Sequence, residues 1–146
     1  MLVLPGTVTI AVPAVILWLW GADVAPGTGI IGAVVVALGV VLVGWTIRLF
    51  DTAGHGTLAP WDPTSALVVR GPYRYVRNPM ITGVATILAG EALFFRSWGI
   101  AIELAVFVAV NAVYFPLVEE PGLRRRFGSD YEEYCARVPR WLPRVR

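Results

Sequence analysis

Residues 30–50 read IIGAVVVALGVVLVGWTIRLF. Apart from Arg48 near its end, the run carries no charge. At about 1.5 Å of rise per residue it is long enough, as a helix, to cross a hydrocarbon core of roughly 30 Å. Arg48 stands where its stem can lie along apolar surface while its guanidinium reaches the interface. Gly32, Ala33, Ala37 and Gly39 allow another helix to approach closely. Three further apolar blocks flank this one: Leu2–Trp20, interrupted by Pro5 and Pro13, then Pro79–Phe95 and Trp98–Val118. Prolines are tolerated in membrane helices when neighbours satisfy the freed carbonyls. The expected fold is therefore an all-α integral membrane protein with about four transmembrane helices and a polar C-terminal helical tail. The first block has no small-residue cleavage site behind a short apolar core, so it reads as a retained span.

Only Arg96 and Ser97 separate the last two blocks, which predicts a tight helical hairpin. A Gly-, Pro- and Arg-rich loop, residues 51–78, joins the second block to the third. Two parts follow: residues 1–50 with two spans, and residues 51–146 with the loop, the hairpin and the tail. Arg48, Arg70, Arg74 and Arg77 flank the loop, and seven arginines lie between Arg124 and Arg146. The opposite side carries Arg96 alone. This asymmetry places the loop and both termini in the cytoplasm.

Composition narrows the function classes. Hydrophobic residues make up 57%, above the roughly 45–50% of soluble domains. A net charge of +2 argues against nucleic acid as partner. Cys135 is the single cysteine, so no intrachain disulfide can form. His55 is the lone histidine and with Asp51 makes at most half a metal site, so no metal is expected. Every basic residue is arginine, which fits a GC-rich genome or selection for planar guanidinium groups that bind phosphate or carboxylate bidentately; the expected location is a bacterial inner membrane.

Unusual residues collect in two places on the cytoplasmic side. The first is Leu67-Val68-Val69-Arg70-Gly71-Pro72-Tyr73-Arg74-Tyr75-Val76-Arg77-Asn78-Pro79-Met80. Asn78 followed by Pro79 is a helix start, with Asn as N-cap and Pro at the first helical position. That start directs free amides and a positive dipole end at the cytoplasm, where a carboxylate or phosphate is favoured. Tyr73 and Tyr75 offer flat surfaces for an adenine. An interfacial belt of Tyr and Arg is the competing reading, and the residues alone leave the two level. The second place is Glu119-Glu120, just before Pro121. Carboxylates near a helix C-terminus oppose its dipole and repel each other unless cations lie close. Arg70, Arg74 and Arg77 are candidate partners; so is a ligand carrying an ammonium and a sulfonium.

The tail reads as two short helices, with Gly128 as C-cap and Ser129-Asp130-Tyr131-Glu132 as a capping box. Phe127, Tyr131 and Tyr134 share one helical face and are expected to brace the membrane domain. Trp141 is expected to anchor the chain end at the interface. Glu91 and Glu103 fall within two turns of Arg96, and ion pairing there is expected. Asn111, one turn before Phe115, is a candidate for a substrate cavity.

Together the two constellations resemble the isoprenylcysteine carboxyl methyltransferase and phospholipid N-methyltransferase group. The match runs from Gly71 to Pro79, across a hairpin, to Glu119-Glu120, Leu123, Phe127-Gly128, Tyr131, Tyr134, Val138-Pro139 and Pro143. It covers about the last ninety residues. The resemblance implies that S-adenosylmethionine binds beneath the tail and that a lipophilic or amphiphilic acceptor enters from the bilayer. Its cofactor contacts fall on Ser65, Ala66, Leu67, Val68, Tyr73, Asn78, Pro79, Met80, Ile81 and Glu119. Residues expected to act on the reaction are Glu120, Arg77 and Asn78. Asn78 replaces the group's commoner histidine, Ile81 replaces a tyrosine, and Phe115 stands where carboxyl-methylating members carry an arginine. Two rival readings are a membrane reductase resembling the sterol reductases, using NADPH, and a non-enzymatic module whose arginines bind anionic lipid.

Overall fold

The computed structural model describes residues 6–53, 67 and 69–141, and all regular structure among them is helical. Helix α1 spans Thr7–Trp20, opening as a π-turn over Thr7–Ala11. Pro13 lacks an N–H, which breaks the regular ladder in this first turn. Helix α2 spans Pro26–Ala53. A single 3-10 turn, Gly71–Arg74, leads to α3 (Pro79–Phe94), and the turn Phe95–Ser97 leads to α4 (Trp98–Tyr114). The helical path then continues through a π-turn, Phe115–Glu119, into α5 (Glu120–Arg137). The α3–α4 hairpin and its short turn agree with the sequence reading. So does the break at Gly128, whose φ of 53° and ψ of −129° kink α5.

Two stretches are long and apolar enough to cross a membrane: Pro26–Leu49, and the continuous run Trp98–Arg137, whose apolar part is α4. Only 22% and 11% of their apolar windows are buried within the protein. Core helices of a soluble fold would be covered by protein, whereas these turn their apolar faces outward. Helices α1 and α3 are apolar but shorter.

Glycines set the packing of α2 on α3. A Cβ on Gly32 would lie 2.5 Å from the Phe94 amide nitrogen, and one on Gly39 would lie 2.8 Å from that of Ile87. Reciprocally, a Cβ on Gly90 would meet the Val36 nitrogen at 2.6 Å, and one on Gly83 the Val43 side chain at 2.7 Å. Spaced seven apart on each helix, these glycines let backbone rest on backbone. The main core lies where α1, α3 and α4 meet, around Ile16, Val84, Leu88 and Ile100.

At the α3–α4 turn the sequence expectation fails. Arg96 pairs with Asp23 at 3.7 Å, not with Glu91 or Glu103. Arg96 has a φ of +47°, and its side chain meets the segment after α1 instead of either hairpin helix. Glu91 and Glu103 each keep one buried carboxylate oxygen without a hydrogen-bond partner.

Candidate functional site

The loop enters the site through Gly71, whose φ of +55° suits glycine. A Cβ there would also strike Leu49 at 2.7 Å and Trp45 at 3.3 Å, so the turn is pressed against the end of α2. Pro72 presets the following 3-10 turn. Tyr75 and Val76 donate their amides to the Pro72 carbonyl at 3.0 and 3.2 Å. Tyr73 is thereby turned inward and buried, while Tyr75 stays exposed. Of the two flat surfaces foreseen for an adenine, Tyr73 alone lies inside.

Asn78 begins α3 as its sequence indicates. Its side-chain oxygen accepts the Ile81 N–H at 3.5 Å, and its carbonyl accepts the Thr82 N–H at 3.2 Å. Pro79 has no N–H, so the Met80 amide is the one left at this helix mouth for an outside acceptor. Asn78 and Pro79 are buried, and Met80 and Ile81 are half-buried.

The tail closes over the loop. Arg77 donates its amide to the Pro139 carbonyl at 2.9 Å, and the buried Tyr134 hydroxyl donates to the Tyr73 carbonyl at 2.7 Å. Tyr131, Tyr134 and Val138 form a second small core with Leu67, Leu123, Phe127 and Cys135 around them. The Phe127–Tyr131–Tyr134 stripe is therefore packing, as its spacing suggested. Tyr134→Phe removes one buried hydrogen bond, a loss of about 0.5–1.5 kcal/mol. Thermal unfolding in detergent will show it as a lowered midpoint.

Glu119 and Glu120 part company. Pro116 removes a helical N–H, and the chain widens into the π-turn that ends on Glu119, with Glu120 opening the next helix. Glu120 is 4% exposed and sits in a cage of arginines. Arg77 Nη1 donates to its Oε1 at 2.8 Å. Arg140 forks onto it, Nε to Oε1 at 2.8 Å and Nη2 to Oε2 at 3.0 Å. This fork raises the Arg140 pKa further. Arg77 Nη1 also reaches Cys135 Sγ at 3.1 Å. Arg140 is the member of this cluster that sequence reasoning missed; Arg70 and Arg74, named as possible partners, are exposed and make no ion pair among the described residues.

Glu119 has no ion pair or hydrogen bond among the described residues, and its side chain reaches the surface. It neighbours Tyr73. Burial first, then Tyr134 and Glu119, hold the Tyr73 phenol protonated far above its ordinary range. The protein packed around the Glu119 carboxyl, and the Glu120 charge beside it, push Glu119 up to about 6. One further group lacks a match: Arg77 Nε is buried and has no hydrogen-bond partner among the described residues.

The structure thus brings Tyr73, Arg77, Asn78–Ile81, Glu119 and Glu120 to one end of the bundle under the tail. Leu67 joins them through the tail core; Ser65, Ala66 and Val68 lie outside the described residues. Asn111 donates from Nδ2 to the Phe107 carbonyl at 2.8 Å, a contact within its own helix. The ring of Trp141, expected at the interface, packs on buried Phe115, centroids 5.7 Å apart.

A turn that buries an aromatic, a helix mouth and a carboxylate thus meet an arginine-locked tail at one end of an all-helical, largely apolar chain. A family model described as phospholipid methyltransferase matches residues 28–130. The chain belongs to that family. Two curated relatives, from Oryza sativa subsp. indica and subsp. japonica, bear the name "Probable protein-S-isoprenylcysteine O-methyltransferase". Each is 29% identical over 125 aligned positions, taking in 74% of this chain. The aligned part spans 60% of the length of these relatives. No solved structure matches the chain significantly.

Proposed function

We propose that this protein transfers a methyl group from S-adenosylmethionine to a lipophilic or amphiphilic acceptor at the cytoplasmic face of a membrane. The observation that carries this reading is the pattern of unmatched polar groups at one end of the bundle. A buried donor, Arg77 Nε, has no acceptor, and the Met80 amide opens at a helix mouth. Beside them Glu119 has no cation among the described residues, although Glu120 has two. A ligand with a carboxylate and an ammonium fits this set. When bound, S-adenosylmethionine supplies an electrophilic methyl on a sulfonium.

In this reading Arg77 and the α3 mouth hold the cofactor's carboxylate, Glu119 its ammonium, and the Tyr73 turn its adenine. Glu120 was a candidate base, but both its oxygens are engaged by arginines; it holds Arg77 and the tail in place and is a positioning residue. Asn78 fixes the start of α3. Alignment of acceptor and methyl supplies the rate, since displacement at a sulfonium carbon depends mainly on orientation. An already nucleophilic acceptor needs no base. Phe115, in place of a guanidinium, leaves a prenylcysteine carboxylate without a partner at that position, so lipid amines or other amphiphiles are favoured. Four crossings, with α1 and α3 completing the bundle and both termini cytoplasmic, place the site within reach of acceptors moving laterally in the bilayer.

Incubating the purified protein in lipid vesicles with methyl-labelled donor tests this directly. Label entering the organic-extractable fraction supports it; no transfer to any lipid fraction counts against it. The pH dependence has a defined sign. Glu119 must be ionised to hold an ammonium, so cofactor affinity is full near pH 8 and falls as pH drops through about 6. Titrations at pH 5 and 7.5 should differ by roughly tenfold, as ionisation falls to about a tenth one unit below the pKa.

A further inference from the structure

A cavity of about 540 Å³ opens at the opposite end of the bundle, between the end of α1 and the α3–α4 turn. Its lining includes Trp20, Asp23, Arg96, Ser97, Trp98 and Ile102. The walls are held by close packing: a Cβ on Gly99 would lie 2.6 Å from Ile16 and 3.4 Å from Trp20. Ser97 caps α4 by accepting the Ile100 N–H at 3.4 Å.

Two opposite charges stand in this cavity and hold each other loosely. Arg96 Nη1 and Asp23 Oδ2 are 3.7 Å apart, with side chains 55% and 78% exposed. Neither has another ion-pair partner among the described residues. Trp20 and Trp98 are largely exposed on the rim, and indole faces attract ammonium groups. We infer that the cavity seats the headgroup of a zwitterionic phospholipid, its phosphate on Arg96 and its ammonium between Asp23 and the tryptophans. A zwitterion matches both members of the open pair, whereas a purely anionic headgroup meets the Asp23 charge. The cavity volume suits a headgroup, and the apolar surfaces of α1 and α4 continue beneath it for the acyl chains.

Native mass spectrometry of the full chain, with phosphatidylethanolamine or phosphatidylglycerol of identical acyl chains added, decides the matter. The wild type should retain one phosphatidylethanolamine at least tenfold more tightly than phosphatidylglycerol. Arg96→Gly should weaken retention of both lipids at least tenfold, since both carry the phosphate, without lowering the melting temperature, because a φ of +47° suits glycine. Asp23→Asn, at an exposed side chain, should bring the two lipids to equal retention and serves if Arg96→Gly folds poorly. The preference should persist in Glu119→Ala, which separates this cavity from the proposed methyl-transfer site. Equal retention of both lipids by the wild type overturns the inference, as does undiminished retention in Arg96→Gly or an undiminished preference in Asp23→Asn.

Discussion

Replacing Glu120 with alanine is expected to release the tail from the loop and to lower stability by about 3 kcal/mol. Removing one partner of a buried ion pair costs about 3–5 kcal/mol, because the remaining charge is left uncompensated. The lower figure applies here since Arg140 is 35% exposed and regains some water. Arg77 is only 13% exposed and has no such recourse. Glu120→Gln keeps a carbonyl oxygen for one guanidinium and should lose less. Thermal unfolding in detergent measures the stability loss. Limited proteolysis of the tail tests whether α5 and the segment around Pro139 have come loose. An unchanged melting profile in Glu120→Ala would mean that the arginine cage does not hold the tail.

The second large effect belongs to the glycine seam. Gly39→Leu places a side chain where a Cβ alone would already lie 2.8 Å from the Ile87 nitrogen and 2.9 Å from the Gly83 oxygen. Those are backbone atoms of α3, so they cannot turn aside as a side-chain tip would. Overpacking in a tight interface costs about 1–3 kcal/mol and at times more. The whole of α3 must shift, and its mouth carries Asn78, Pro79 and Met80. Gly39→Leu should therefore lower the melting temperature and weaken cofactor affinity together, although it lies far from the site in sequence. By contrast Gly44→Leu, where no atom lies within 4 Å of the added Cβ, should leave both nearly unchanged. Equal behaviour of the two variants would contradict the packing described.

Much of this fold was legible in the sequence because the signals are local. Apolar blocks end at charged residues, Asn78-Pro79 writes a helix start, and Gly128 marks a break in the tail. Small residues on α2, Gly32 and Gly39 among them, indicate close approach, though not which helix comes near. Distant pairings were less accessible. Arg140 lies twenty residues from Glu120, and no periodicity links them. Arg96 was assigned to glutamates on its own hairpin because proximity in sequence was the available guide. The positive φ at Arg96 and its contact with Asp23 depend on α1 packing beside the turn. The contact of Trp141 with the Phe115 ring is a further distant pairing that residue type does not reveal. The division of Glu119 from Glu120 also depends on tertiary context: the π-turn at Pro116 and the returning Arg140 together turn one inward and leave the other open.

The central claim is that the unmatched groups around Glu119 and Arg77 form a cofactor site. Calorimetric titration of the purified protein with S-adenosylhomocysteine tests it most directly, because binding is read without knowing the acceptor. Saturable binding is expected, weakened more than tenfold in Glu119→Ala, as losing one charge-assisted hydrogen bond of about 1.5–3 kcal/mol requires. Absence of binding at millimolar ligand, or equal affinity in wild type and Glu119→Ala, would contradict the account.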